Sequence, residues 1–371
     1  MLEVGEISTR QHVFLLFCLF TIPITFTSPQ ILISMFKQDV WQPILIAYFL
    51  DAAIGIVYYV LGLRYPQQTI FQYCETILGP WFGKLTGLSF VLFFGGTATL
   101  ILDTISSIIN LAIMPETPTI VFSIIILLVS AYAINAGLEV IARLSEVIGP
   151  IIIFSLLVVI LLNFNHTELE NLLPVFQHPP LEVLKGSLLP ASLFGICISM
   201  GTFMAYHNVP RETLKAKWIA ITLGIVLALM SYLQMIAVLG VNIASTQLYP
   251  MFRLAQMIQV GDIIERLESV MVFFWIAGSF IAICVLYWES TLGLAQIFKL
   301  KKYQSLTPYT GGTILLLSVI GFRNATAKIV FLRDVYPVIA IFVEIFLISF
   351  LLIVSFLRHG KKTIYARKEG K

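Results

Sequence analysis

Charge is what this chain has least of. Asp, Glu, Lys and Arg make up 12% of its 371 residues, whereas 58% are hydrophobic; a soluble domain carries about 25% charged residues. That balance excludes a soluble globular enzyme, and nothing points to nucleic acid. Histidine is also scarce, with five residues at termini, in loops or at the ends of apolar runs. There is no Ser/His/Asp grouping, no glycine-rich phosphate loop and no HExxH, so neither enzymatic chemistry nor a cofactor or metal is expected. The four cysteines (Cys18, Cys74, Cys197, Cys284) lack metal or disulfide spacing and are expected to pack as small apolar residues. No cleavable signal peptide is expected, because Glu3 and Glu6 precede an apolar run that is too long for one.

What is abundant is apolar sequence in membrane-length runs. A spanning helix needs roughly 20 apolar residues. About ten are read: 12–36, 41–63, 84–112, 118–136, 139–163, 184–207, 215–240, 267–293, 308–322 and 332–357. The expected architecture is therefore all-α and polytopic, one membrane domain over 1–371 with a basic tail at 358–371. Most Lys and Arg fall on one side if both termini are cytoplasmic, and Lys299, Lys301 and Lys302 agree with the tail. Between the second and third runs, Arg64–Lys84 reads as a turn and an interfacial helix, with Tyr73 and Trp81 at headgroup depth.

Two runs are interrupted. In the first, Ile22-Pro23-Ile24-Thr25-Phe26-Thr27-Ser28-Pro29 cannot continue as a regular helix, because proline lacks the donor and clashes with the preceding turn. Ser28-Pro29 reads as a helix start that would aim free N–H groups at a carboxylate. In the sixth, Pro190, Gly195 and Gly201 lie among Ser192, Ser199 and Thr202. Breaks in runs one and six of ten suggest two five-helix halves, about 12–163 and 184–357, in inverted orientation. Ligands in such transporters sit between the broken helices. The candidate ligand-binding residues are Thr25, Phe26, Thr27, Ser28, Gly96, Thr97, Phe194, Gly195 and Ser199. The other readings are a plain proline kink in run one, and close packing through small residues in run six and at Gly95-Gly96-Thr97-Ala98.

Ionisable residues at membrane depth are functional candidates. Asp51, Asp103 and Glu344 fall within runs, and Glu146 and Glu289 nearer cytoplasmic ends. Arg143 is expected to pair with Glu146. No lysine is placed mid-span, so no buried lysine–carboxylate relay is expected. Glu265, Arg266 and Glu268 at the outer mouth of run eight form a candidate network or partner surface.

Several stretches resemble the B subunit of bacterial spore nutrient-germinant receptors, within the amino acid–polyamine–organocation superfamily. They are Tyr65-Pro66 through Lys84, ending ILGPWFGK; Gly137-Leu138-Glu139-Val140-Ile141-Ala142-Arg143; and Tyr249-Pro250 followed by Gly261-Asp262-Ile263-Ile264-Glu265-Arg266-Leu267-Glu268-Ser269 and Trp275. The resemblance implies the ten-helix inverted-repeat fold, a nutrient pocket between helices one and six, A and C partner subunits, and the spore inner membrane. It also implies glycines in the first break, where this chain has Ile22-Pro23-Ile24-Thr25-Phe26-Thr27. The rival expectations are a stand-alone proton-coupled amino-acid or amine permease, and a scaffold with a vestigial pocket.

Overall fold

The computed structural model describes residues 2–3, 5–258, 267–322 and 324–359. The described residues are helical throughout, apart from turns and a single two-residue bridge between Ile7 and His207. Among the described residues, nine helices are long and apolar enough to cross a membrane. The tenth expected span, Thr307–Ile320, is a 14-residue helix in the anticipated place.

In chain order the spans are Thr9–Phe36 (broken), Trp41–Arg64, Pro80–Ala112, Thr119–Ala136, Leu138–Leu162, Pro180–Tyr206 (broken), Thr213–Thr246, Leu267–Ile297, Thr307–Ile320 and Ala325–His359. The expected all-helical, multi-pass membrane fold holds, with nine membrane-length helices among the described residues where about ten were expected. A short helix, Ile70–Leu78, fills the segment after the second span, closed by a Thr69–Gln72 capping box. Trp81 is exposed there, but Tyr73 is buried, so only the first of the two is placed for the headgroups. A second short helix, Pro250–Gln256, follows the seventh span.

The two broken spans are the two most buried. The first is 78% buried and the sixth 94%, against 33–72% for the others. Irregular backbone is tolerated at this depth only when protein encloses it, and the remaining helices form that enclosure.

The N-terminal segment is tied by hydrogen bonds to the start of the fifth span and to the segment before the ninth. The Glu3 carboxylate accepts from the Leu138 N–H at 3.2 Å and the Tyr303 hydroxyl at 2.9 Å. Burial, and then the Glu3 carboxylate, push the Tyr303 phenol above its ordinary range, which keeps it a donor. Gly137 sits beneath Glu3 with φ +103°, a conformation costly for any residue with a Cβ. Arg143 pairs with Glu139 at 2.5 Å rather than with Glu146 as the sequence suggested; Glu146 instead meets Arg10 at 3.3 Å, because the first span lies against this helix.

Candidate functional site

The first break is a π turn. Regular helix Thr9–Ile22 passes into a π-helical Pro23–Thr27, and a new helix runs Pro29–Phe36. The missing donor at Pro23 is absorbed by one wide turn instead of an unwound gap. Hydroxyls take up the carbonyls: Thr25 donates to the Thr21 carbonyl at 2.5 Å, and Ser28 to that of Ile24 at 3.1 Å. Tyr232 of the seventh span donates to the same Ile24 carbonyl at 2.9 Å and lies 2.8 Å from the Ser28 hydroxyl. Ser28 is thus not the side-chain N-cap expected from Ser-Pro. Its backbone is helical, it makes no capping bond, and its hydroxyl turns back into the break.

The sixth span breaks differently. Helix Leu188–Phe194 tightens into a 3₁₀ segment, Gly195–Ser199, before helix Met200–Phe203. The two breaks pack on each other: the π turn contacts Leu188–Phe194, and Thr9–Ile22 contacts the 3₁₀ segment. Phe20 and Phe194 meet edge to face at 5.6 Å, and Phe26 lies 4.2 Å from the Trp275 ring of the eighth span. Thr25, Phe26, Ser28, Phe194 and Ser199 are all buried here, and Thr27 is partly so.

The third-span patch meets the close-packing reading at Gly95. Gly95 lets the eighth span approach, since a Cβ there would touch Ser290, whereas Gly96 faces open space. Thr97 lies 3.4 Å from the Tyr336 hydroxyl of the tenth span.

The acids occupy three different settings. Asp103 is paired with Lys328 at 2.8 Å, in the C-terminal part of the third span. Asp51 is paired with Lys217 at 2.8 Å, with both side chains buried. This overturns the expectation of no buried lysine–carboxylate pair. Lys217 stands one turn into the seventh span, and its long side chain runs inward past Gly55, where a Cβ would touch it. The Lys217 ammonium also lies 4.8 Å from the Tyr58 ring, and the Tyr58 hydroxyl donates to the Glu344 backbone carbonyl at 2.8 Å.

Glu344 is buried on a π turn of the tenth span, Phe342–Leu347, that packs on the 3₁₀ break. A Cβ at Gly195 would overlap its carboxylate. Glu289, expected near a cytoplasmic end, is also buried and accepts from the Ser199 hydroxyl at 2.7 Å. Two carboxylates therefore flank the sixth-span break, one at Gly195 and one at Ser199. Each keeps one oxygen, Oε1, without a hydrogen-bond partner.

Sequence reasoning missed Tyr232, Tyr58, Tyr336 and Lys217. Only Lys217 carried a signal: Lys at the start of an apolar run can reach inward as well as outward. The outer-mouth network of Glu265, Arg266 and Glu268 lies outside the residues whose side chains are described. The same holds for the basic tail beyond His359.

A family profile described as "Spore germination protein" matches residues 6–326. The chain belongs to this spore germination protein family. Spore germination protein YndE of Bacillus subtilis is 28% identical over 268 residues, covering 71% of this chain and 73% of that protein. Spore germination protein KB of the same organism is 26% identical over 295 residues, covering 77% and 78%. In fold, the chain is similar to Mhp1, a nucleobase-cation-symport-1 transporter solved in a closed conformation with bromovinylhydantoin bound. The TM-score is 0.70 at 12% identity, covering 96% of this chain and 79% of that one. MhsT in complex with L-phenylalanine gives 0.62 at 14% identity, covering 94% and 97%. At such identities the likeness establishes the shared transporter fold alone, and no enzyme is among these relatives.

Proposed function

We propose that this chain is the nutrient-sensing membrane subunit of a spore germinant receptor, acting with A and C subunits. The observation that carries the reading is the meeting of two differently broken, deeply buried helices, Pro23–Thr27 against Leu188–Phe194, in a transporter fold. The site would be bounded by Thr25, Phe26, Thr27, Ser28, Gly96, Thr97, Phe194, Gly195 and Ser199. Relatives named for germination support the process, and fold neighbours with a hydantoin or L-phenylalanine bound support a small nutrient, an amino acid or similar. Both termini are assigned to the cytoplasm and the protein to the spore inner membrane, in keeping with the basic residues. Ligand would favour one packing of the bundle, and partners that distinguish the two packings would receive the signal.

The test is germination of spores lacking this gene on a panel of single nutrients, restored with wild-type protein or Gly195→Trp. Loss of one nutrient class, rescued only by wild type, is expected. Rescue by both proteins would remove the pocket assignment.

A proton-coupled permease is the second reading, favoured by the buried Glu344 with its unpartnered oxygen. It requires accumulation of labelled solute in vesicles containing this chain alone.

A further inference from the structure

The carboxylate at Gly195 has a charge problem that its surroundings leave unsolved. Glu344 is 1% exposed and its Oε1 has no hydrogen-bond partner. The nearby cation, Lys217, is committed to Asp51 at 2.8 Å. Tyr58 spends its hydroxyl on the Glu344 backbone carbonyl, not on its carboxylate. The ionisable groups in electrostatic reach of Glu344 are Asp51 and Tyr58 on the second span, Cys197 on the sixth, Lys217 on the seventh and Tyr336 on its own. With Asp51 and Lys217 cancelling each other, a bare Glu344 carboxylate would be one unbalanced negative charge in the membrane interior, so Glu344 holds either a proton or another positive charge. The local backbone agrees. Glu344 sits in a π turn, a geometry concentrated at functional positions, and faces the one residue of the 3₁₀ break that has no side chain.

We propose that Glu344 is the carboxylate of a small-cation site at Gly195, between the second, sixth and tenth spans. Its occupant is a monovalent cationic group, an alkali ion or a primary ammonium. A proton competes for the same oxygen, so occupancy rises from acidic to neutral pH. Glu289 is the poorer choice, because Ser199 already donates to one of its oxygens. The site is separate from the nutrient reading: an occupied cation site is compatible with a sensor, a permease or a scaffold.

The experiment uses the purified full-length chain in lipid nanodiscs. Its melting temperature is followed against potassium, sodium or methylammonium chloride, with choline chloride as the ionic-strength control. At least one small cation should raise the melting temperature where choline does not, and half-saturation should move to lower concentration as pH rises. A shift with potassium or sodium assigns an alkali ion; a shift with methylammonium alone assigns an ammonium. Glu344→Gln should abolish the shift, and Glu344→Asp should weaken binding about 10- to 100-fold, the loss expected when a charged hydrogen bond is misplaced. The proposal is overturned if choline acts equally, or if Glu344→Gln responds like wild type. Should the Gln variant fail to fold, unchanged half-saturation in Glu344→Asp overturns it as well. No nutrient is used, so failure here leaves the germination test standing.

Discussion

Lys217 lies 2.8 Å from Asp51 with neither side chain reached by solvent, and this pair ties the start of the seventh span to the middle of the second. Removing one partner of a buried pair strands the other charge, at a typical cost of about 3–5 kcal/mol, whereas replacing both can be nearly neutral. Asp51→Asn and Lys217→Met should each reduce the amount of folded protein in the membrane sharply. The double variant should recover most of it. Thermal unfolding of the purified variants checks this, and additive losses in the double variant would show that the pair is not coupled.

Gly195 and Glu344 should behave as one packing unit. A methyl at position 195 would overlap the Glu344 carboxylate, and overpacking typically costs about 1–3 kcal/mol. Gly195→Ala should therefore lower the melting temperature, and Gly195→Ala combined with Glu344→Ala should melt above the Gly195→Ala single variant. If Gly195→Ala melts like wild type, the carboxylate has room to withdraw and the contact is not a constraint.

Much of this arrangement is legible in the sequence. Pro23, Pro29 and the hydroxyls between them announce a break, and Pro190, Gly195 and Gly201 announce another, because backbone chemistry is local. The form of each break was not legible. A π turn at Pro23–Thr27 depends on Tyr232 reaching the Ile24 carbonyl from another helix, and no local pattern encodes that. The acids were legible as candidates but not in their partners. Asp103 with Lys328 and Asp51 with Lys217 are separated by more than 160 residues. Lys217 misled because it stands near the start of its helix while its ammonium reaches Asp51 in the middle of the second span.

Gly137 offers a test of how the N-terminal segment is held. Its φ of +103° and the Glu3 carboxylate above it leave no comfortable place for a side chain. Gly137→Ala should cost about 1–2 kcal/mol from backbone conformation alone, and Glu3→Ala should also destabilise by unpairing the Leu138 N–H and the Tyr303 hydroxyl. Denaturation of purified protein, or proteolysis of the N-terminal segment, measures both. Wild-type behaviour in both variants would mean that the segment is not held this way.

Ser199 and Glu289 set the last expectation. Ser199 gives one hydrogen bond to Glu289 at 2.7 Å and shares its hydroxyl with the Ile196 carbonyl at 3.1 Å. Ser199→Ala leaves both Glu289 oxygens without that donor, and an orphaned buried acceptor costs about 1–3 kcal/mol, more when charged. Glu289→Gln keeps an acceptor for Ser199 and sheds the charge, so it should be milder than Ser199→Ala by melting temperature. Because Ser199 lies on the break proposed to hold the nutrient and Glu289 meets it from the eighth span, Ser199→Ala should also raise the nutrient concentration needed for germination when protein levels are matched. A loss of stability with an unchanged nutrient requirement would make this pair a support of the helix rather than part of a binding site.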